Sequence, residues 1–162
     1  MTKTFLPVIL GTDANAYGLA RSFNDLYGVK SLVVGTFLLK ECQNSKIIDS
    51  KIVKNLTDEK VFLNTLLSIG KEYKQKYDYL ILLSCAEWYT NPIVNNMEVL
   101  KEYFVLPFMN KEIKDKLEDK ESFYKMCDEY NLPYPKTFII TKENQKDLKI
   151  DIPYPLALKP SN

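Results

Sequence analysis

Short apolar runs alternate with amphipathic segments along the first hundred or so residues, a pattern typical of strands and helices in turn. Residues 5–10 are a continuous apolar run that stops at Gly11, as in a strand buried on both faces of a parallel sheet. Apolar side chains then recur at helical spacing until Gly28 ends the helix, at Ala16, Leu19, Ala20, Phe23, Leu26 and Tyr27. A second strand follows at residues 30–35. Strand, helix and strand within about thirty residues predict a right-handed βαβ unit.

The alternation continues toward residue 107. Residues 47–56 carry one or two weak strands, and Asp58 begins a helix that runs to about Lys76. The strongest strand signal is residues 77–84, after which we predict a helix over 94–103 and a short strand around 104–106. The whole pattern predicts an α/β fold with an open, doubly wound, mostly parallel sheet.

The pattern changes after Pro107. Residues 111–125 are highly charged and predict two short helices, the second with an apolar face of Phe123, Met126, Cys127 and Tyr130. Prolines stop that helix, and residues 136–141 and 155–159 are interpreted as strands. Roughly fifty residues are too few for a second core. We therefore predict a Rossmann-like domain over 1–107 and an incomplete second domain over 108–162.

Composition excludes several classes of function. The 162 residues carry a net charge of +1 at pH 7, which gives no electrostatic reason to expect nucleic acid or an acidic membrane as partner. The chain has no histidine, and its three cysteines form no C-x-x-C pair, so zinc sites and Ser-His-Asp chemistry are not expected. No apolar run approaches the ~18 residues of a membrane span, and no secretory signal is evident. A cytoplasmic protein with reduced thiols is the expectation.

The turn after the first strand is the first candidate for substrate binding. It joins a buried strand to a helix N-terminus, where free N–H groups attract anions, at the edge where open α/β sheets bind ligands. The candidate residues are Gly11, Thr12, Asp13, Asn15, Tyr17 and Arg21, which is the chain's only arginine. A simpler interpretation is a connection in which Asp13 only caps the helix. The spacing matches neither a dinucleotide fingerprint nor a P-loop.

Two further candidates lie along the chain. Glu87, with Trp88 and Tyr89, follows the strongest strand and would reach the same crevice; alternatively, the aromatic pair is core packing and Glu87 a solvated acid. Lys120 stands in a charge run, where the simple interpretation is a solvated helix face. Lys159 ends a small apolar stretch, where a lysine needs an anionic partner or a route to water.

The order of these motifs resembles that of ATP-grasp enzymes. Asp119-Lys120 comes first, then the proline-rich stretch 132–137, and then residues 154–162, which contain Lys159. Residues 10–23 are similar to bacterial carboxylate–amine ligases, above all the D-aspartate ligases of peptidoglycan assembly. The resemblance covers essentially the whole chain.

The resemblance implies a division of labour. Residues 1–107 would be a pre-ATP-grasp domain that contributes groups to the acceptor substrate, and residues 108–162 would open the ATP-grasp domain. Lys120 and Lys159 would contact the phosphates of ATP, while the ligands of Mg²⁺ and all catalytic residues are expected beyond Asn162. The implied reaction activates a carboxylate as an acyl phosphate, which an amine attacks.

The expected partners are therefore a small-molecule carboxylate and an amine. The sequence leaves open whether the protein forms a homodimer. The resemblance also implies that these residues alone are inactive. A non-catalytic small-molecule or nucleotide-binding module with a Rossmann-like fold is the main alternative. A Rossmann-like enzyme unrelated to ATP-grasp would need a cofactor fingerprint that the sequence lacks.

Overall fold

The computed structural model describes residues 4–146 and 153–159. The chain divides into two compact units, Met1–Phe108 and Met109–Asn162. Their assignment to a pre-ATP-grasp domain and the start of an ATP-grasp domain stays a prediction.

The first unit is built on a parallel sheet of four strands in the order β3-β2-β1-β4. The strands are β1 (Phe5–Leu10), β2 (Ser31–Gly35), β3 (Ile48–Ile52) and β4 (Tyr79–Ser84). The chain moves outward from β1 through β2 to β3, and then returns to the opposite side of β1 for β4. The predicted open, parallel α/β sheet is thereby confirmed, and its strand order reverses beside β1.

Strand β1 is central because its apolar run can be buried on both faces. Val8, Ile9 and Leu10 are fully buried, and they pair with β2 on one side and β4 on the other. The predicted short strand around 104–106 is wrong in extent. Only Val105 bridges to β4, at Ile81, because residues 101–103 are still in helical turns when the chain reaches the sheet.

Helices cover both faces of this sheet, and their bounds are α1 (Ala14–Tyr27), α2 (Glu59–Tyr73), α3 (Glu87–Asn95) and α4 (Met97–Leu100). The predicted caps are confirmed at Asp13, Asp58 and the left-handed Gly28. The predicted helix over 94–103 is confirmed in part, since residues 94–95 end α3, Met97–Leu100 form α4, and residues 101–103 are in turns. Helix begins earlier, at Glu87, because Tyr89 and Ile93 stand one turn apart and both bury against the core.

Alternate side chains of the strands feed two separate cores. On one face, Ile9 and Val33 pack with Ala16 and Ala20 of α1. On the other, Leu6, Val8, Leu10, Leu80 and Leu82 pack with residues of α2 and α3, including Phe62, Leu66, Ile69 and Ile93. Period-two alternation of the strands and the apolar stripes of the helices therefore produce a three-layer α/β/α unit.

The second unit contains α5 (Lys111–Glu118) and α6 (Lys120–Glu129), as the two predicted short helices required. Cys127 is buried as expected, but Tyr130 lies at the C-cap and is 70% exposed. The predicted strands at 136–141 and 155–159 are wrong, since neither segment forms a strand. Around 139–144 the side chain of Asn144 bonds the Thr141 N–H and the Ile139 carbonyl, a local alternative to strand pairing.

No helix in the described part of the chain combines the length and the apolar character needed to cross a bilayer.

Two helical glycines offer a matched test of this packing. A Cβ at Gly70 would lie 2.6 Å from the Tyr103 Cβ, so Gly70→Ala should destabilise the protein by about 1–3 kcal/mol through overpacking. Gly18 has nothing within 4 Å of such a Cβ, so Gly18→Ala should stabilise by about 0.5–1 kcal/mol. Urea unfolding of the purified variants measures both, and changes of the same sign would contradict this packing.

Candidate functional site

The carboxyl ends of the strands surround a cleft of about 270 Å³. It lies where the strand order reverses, the position at which open α/β sheets bind ligands. Residues from the turns after β1, β2 and β4 line it, together with the residue before Asp58: Gly11, Thr12, Asp13, Gly35, Thr36, Phe37, Leu39, Thr57, Cys85, Ala86, Trp88 and Tyr89.

Gly11 makes the turn out of β1. Its φ of 131° is strained for any side chain, and an added Cβ would approach the Cys85 Cβ to 3.1 Å. Its N–H donates to the Val34 carbonyl at 2.9 Å. The turn is therefore pinned to β2 while it lies close against the turn that leaves β4.

Thr12 ties the first turn to the second. Its side chain is buried, and its hydroxyl donates to the Phe37 carbonyl at 2.7 Å. A Cβ at Gly35 would lie 2.8 Å from the Thr12 Cγ2. The hydrogen bond to Phe37 and the close approach to Gly35 together fix the path of the loop that follows β2.

Asp13 has two structural roles, since it caps α1 and also lines the cleft. Its Oδ1 accepts from the Ala16 N–H at 3.0 Å, and its Oδ2 from the Asn15 amide at 3.4 Å. The capping interpretation of Asp13 is therefore realised. Its carboxylate already supplies the negative charge that the helix N-terminus favours.

The structure separates the remaining predicted substrate residues from the cleft. Asn15 is exposed, Tyr17 packs against the core beneath α1, and Arg21 is 66% exposed with its Nε 3.4 Å from Asp25 Oδ2. Glu87 is exposed in the first turn of α3. None of these is among the residues that line the cleft, and their roles in binding stay predictions.

The aromatic pair behind Glu87 divides into a buried and an exposed ring. Tyr89 is buried and stacks on Phe62 with ring centroids 6.3 Å apart. Trp88 is 67% exposed, with its ring centroid 6.1 Å from that of Tyr89. On the loop after β2, Phe37 is 73% exposed. The cleft thus has a fixed aromatic wall and uncovered aromatic side chains.

Sequence reasoning missed the lining residues that follow β2. Gly35 ends a fully buried strand, as Gly11 ends the first, so the rule that selected Gly11 would have selected Gly35, Thr36 and Phe37 as well. Cys85 directly follows the strongest strand, so the same rule would have selected it as well. Thr57 has no such signal, because its place depends on how α2 packs.

Two thiols near Asp13 are held in the neutral form. Burial, followed by the negative charge of Asp13 and by coupling to the ionisation of Cys42, raises the pKa of Cys85 to about 11. Burial also raises the pKa of Cys42, with Asp13 and Glu41 contributing, and the Cys42 Sγ lies 3.8 Å from the Asp13 carbonyl oxygen. Neither thiol is therefore set up as a nucleophile near neutral pH.

The two predicted nucleotide lysines belong to the second unit. Lys120 is the half-buried first residue of α6, whose cap Asp119 accepts from the Ser122 N–H at 2.7 Å. Lys159 is exposed. Among the residues that the structure describes, no group of three or more acidic, cysteine or histidine side chains is placed to hold a metal ion.

Comparison with known proteins supports the resemblance found in the motifs. No protein-family model matches the chain. The chain is 36% identical over 165 residues to a D-aspartate ligase of Enterococcus faecium (strain Aus0004), an alignment that covers 99% of the chain. It spans 39% of the length of that relative. The similarity to D-aspartate ligases noted from residues 10–23 is thus confirmed over nearly all of the chain.

The raised pKa of Cys85 predicts a slow and strongly pH-dependent reaction with iodoacetamide. Near neutral pH the thiol is almost fully protonated, and alkylation should accelerate only as the pH rises through about 11. Mass spectrometry of the labelled Cys85 peptide measures the rate. In urea the same cysteine should titrate near its ordinary value of 9.0, and equal native and unfolded rates at mildly alkaline pH would contradict the burial.

Linkage gives the sign of the effect on stability. Because the folded-state pKa of Cys85 lies above the ordinary value, the stability of the buried neutral thiol is fully present below pH 9.0 and is lost as the pH rises through about 11. The urea midpoint of the native protein should therefore fall as the pH rises from 9.0 through about 11. In Cys85→Ser this fall should be smaller, because the titrating thiol is gone.

Proposed function

We propose that these residues form the first part of an ATP-dependent ligase that joins a carboxylate to an amine, with D-aspartate as the carboxylate. The observation that carries the proposal is the 36% identity to a D-aspartate ligase across 99% of the chain. Because the chain spans 39% of that relative, the activity is proposed for the longer protein. The order of the Lys120, proline and Lys159 motifs supports the ATP-grasp type.

In this proposal the first unit positions a substrate. Its cleft is built on turns that parallel strands hold rigidly, and binding sites on such elements keep the geometry that a reaction between two bound molecules needs. The cleft contains hydroxyl, carboxylate and aromatic groups. The thiol that lines it, Cys85, is kept protonated near neutral pH and is therefore not set up as a nucleophile. We therefore assign it to binding and not to bond formation.

The second unit would supply charge for the nucleotide. The ammonium groups of Lys120 and Lys159 suit phosphate oxygens, since each offers a full positive charge and three donors. ATP with Mg²⁺ supplies the energy that activates the carboxylate. The Mg²⁺ ligands would come from elsewhere in the longer protein. Two lysines bind an exposed polyphosphate weakly by themselves, so these 162 residues alone are proposed to be inactive.

We also propose that the protein works in the cytoplasm. Cys42, Cys85 and Cys127 are free thiols, the state favoured in the cytoplasm. The proposed partners are a small carboxylic acid and an amine.

The test is a ligase assay on the protein translated from the complete reading frame. Amine-dependent release of ADP with D-aspartate is expected. Lys120→Ala and Lys159→Ala should each raise the KM for ATP roughly tenfold or more, because each removes a charge-assisted hydrogen bond. The matched control is Lys116→Ala, whose ammonium pairs with Glu112 at 3.0 Å on the surface of α5 and should leave the KM for ATP unchanged.

Two outcomes would count against the proposal. Absence of ADP release with every amine and carboxylate tried, in a protein that still binds one of them, would favour the non-catalytic module. A Lys116→Ala effect equal to those of Lys120→Ala and Lys159→Ala would remove the specific role of those two lysines.

A further inference from the structure

The cleft of the first unit has an asymmetric charge. Among the described residues that line it, Asp13 alone carries a formal charge, and the others are hydroxyl, thiol, glycine or apolar side chains. A cleft with one carboxylate and no lining lysine or arginine attracts cations and repels carboxylates and phosphates. Of the two substrates of a carboxylate–amine ligase, the negative charge of the cleft therefore favours the amine, which is cationic when protonated, over the carboxylate.

Asp13 keeps the capacity to hold a further donor. Its carboxylate offers about four acceptor positions, and the described contacts are the Ala16 N–H at 3.0 Å and the Asn15 amide at 3.4 Å. The second of these is long for a hydrogen bond. The same charge contributes to the raised pKa values of both Cys85 and Cys42, so its field reaches the wall of the cleft.

The helix N-terminus does not reverse this preference. The Ala16 N–H is bonded to the Asp13 side chain, and the Tyr17 N–H donates to the Asp13 carbonyl at 3.0 Å. The carboxylate thus already occupies the position that a bound anion would take at the start of α1. A second anion there would meet like charge.

Exposed aromatic side chains reach the cleft from two different strand ends. Phe37 follows β2 and is 73% exposed, and Trp88 follows β4 and is 67% exposed. Uncovered aromatic surface beside a cleft is surface that a ligand can bury. Aromatic faces also attract cations, whose alkyl portions pack on the same rings.

We propose that this cleft binds the amine substrate, holding an alkylammonium group at the Asp13 carboxylate with Phe37 and Trp88 covering its alkyl chain. This rests on the proposed ligase in one respect only, that the bound amine is the one joined to the carboxylate. The volume of about 270 Å³ lies just below the ~300–1,000 Å³ range of small-molecule pockets. It suits one aliphatic amine end and not a nucleotide.

Tryptophan fluorescence tests the proposal without any enzymatic activity. Trp88 is the only tryptophan of the 162 residues, so its emission reports on the cleft alone. The purified chain is titrated with n-butylammonium chloride, n-butanol and sodium butyrate at constant ionic strength. Saturable change is expected with butylammonium, about fivefold weaker binding with butanol because the charge pairing is lost, and none with butyrate.

Variants separate the charge from the fold. Asp13→Asn removes the charge but keeps a cap of equal quality, so α1 should stay folded while butylammonium binding falls by about fivefold to the level of butanol. Asp49→Asn is the matched control, because it removes an exposed carboxylate that pairs with Lys30 outside the cleft, and it should change nothing. Phe37→Ala should weaken butylammonium and butanol binding alike.

Several results would overturn the proposal. Butyrate binding more tightly than butylammonium would make the cleft an anion site. Equal binding of butanol and butylammonium would remove the role of Asp13, and the absence of saturable change with all three probes would remove the site. If Asp49→Asn weakened butylammonium binding as much as Asp13→Asn does, the effect would come from the net charge of the protein and not from a carboxylate in the cleft.

A second measurement separates this inference from the ligase proposal. In the active full-length protein, Asp13→Asn should raise the KM for the amine about fivefold while the KM values for ATP and the carboxylate stay unchanged. A rise in the carboxylate KM instead would overturn the assignment with the ligase proposal intact. Ammonium-selective fluorescence in a protein with no ligase activity would leave the cation site standing and remove the proposed reaction.

Discussion

The pairing of β1 with strands on both of its sides is the constraint on which the rest of the first unit depends. Its ladder continues past the strand ends, since the Gly11 N–H donates to Val34 and the Cys85 N–H donates to the Leu10 carbonyl at 3.0 Å. Backbone bonds therefore hold the turn after β1 against β2, and the turn after β4 against β1. A cleft between turns fixed in this way keeps its shape without any ligand, and pre-formed sites lose little entropy on binding.

Asp13 shows how one side chain can serve stability and recognition together. As the cap of α1 it is held in place by the helix, so its carboxylate does not have to be ordered when a ligand arrives. The arrangement also limits what the cleft can bind, because exchanging the cap for a basic residue would cost about 0.5–2 kcal/mol of helix stability. The structure thus links the sign of the charge in the cleft to the folding of the first helix.

The sequence was most informative where burial is local and periodic. Residues 5–10 read as a buried strand because every position is apolar, and α1 because its stripe repeats and Gly28 terminates it. The start of α3 had no such signal, since Ala86 provides no side-chain cap. Residues 136–141 have strand-like composition, but strand formation depends on a partner that composition does not specify. Phe37 and Thr57 reach the cleft only through the sheet order and helix packing.

The position of a residue in the fold predicted the lining of the cleft better than its residue type did. The rule that ligands bind at the carboxyl ends of parallel strands found Gly11, Thr12, Asp13 and the aromatic pair, because it depends only on strand order. It could not place Arg21 or Glu87 relative to the cleft, since that depends on how far around a helix each side chain lies. Arg21 stands two turns along α1 from Asp13, beyond the lining residues.

The close fit between Thr12 and Gly35 has a consequence for how this fold can vary over evolution. With a Cβ at position 35 only 2.8 Å from the Thr12 Cγ2, Gly35 cannot accept a side chain while Thr12 is kept. Thr12→Ser removes that methyl group but keeps the hydroxyl that binds the Phe37 carbonyl, and so opens the space that Gly35→Ala needs. Among related chains the two positions should therefore change as a pair, small with large.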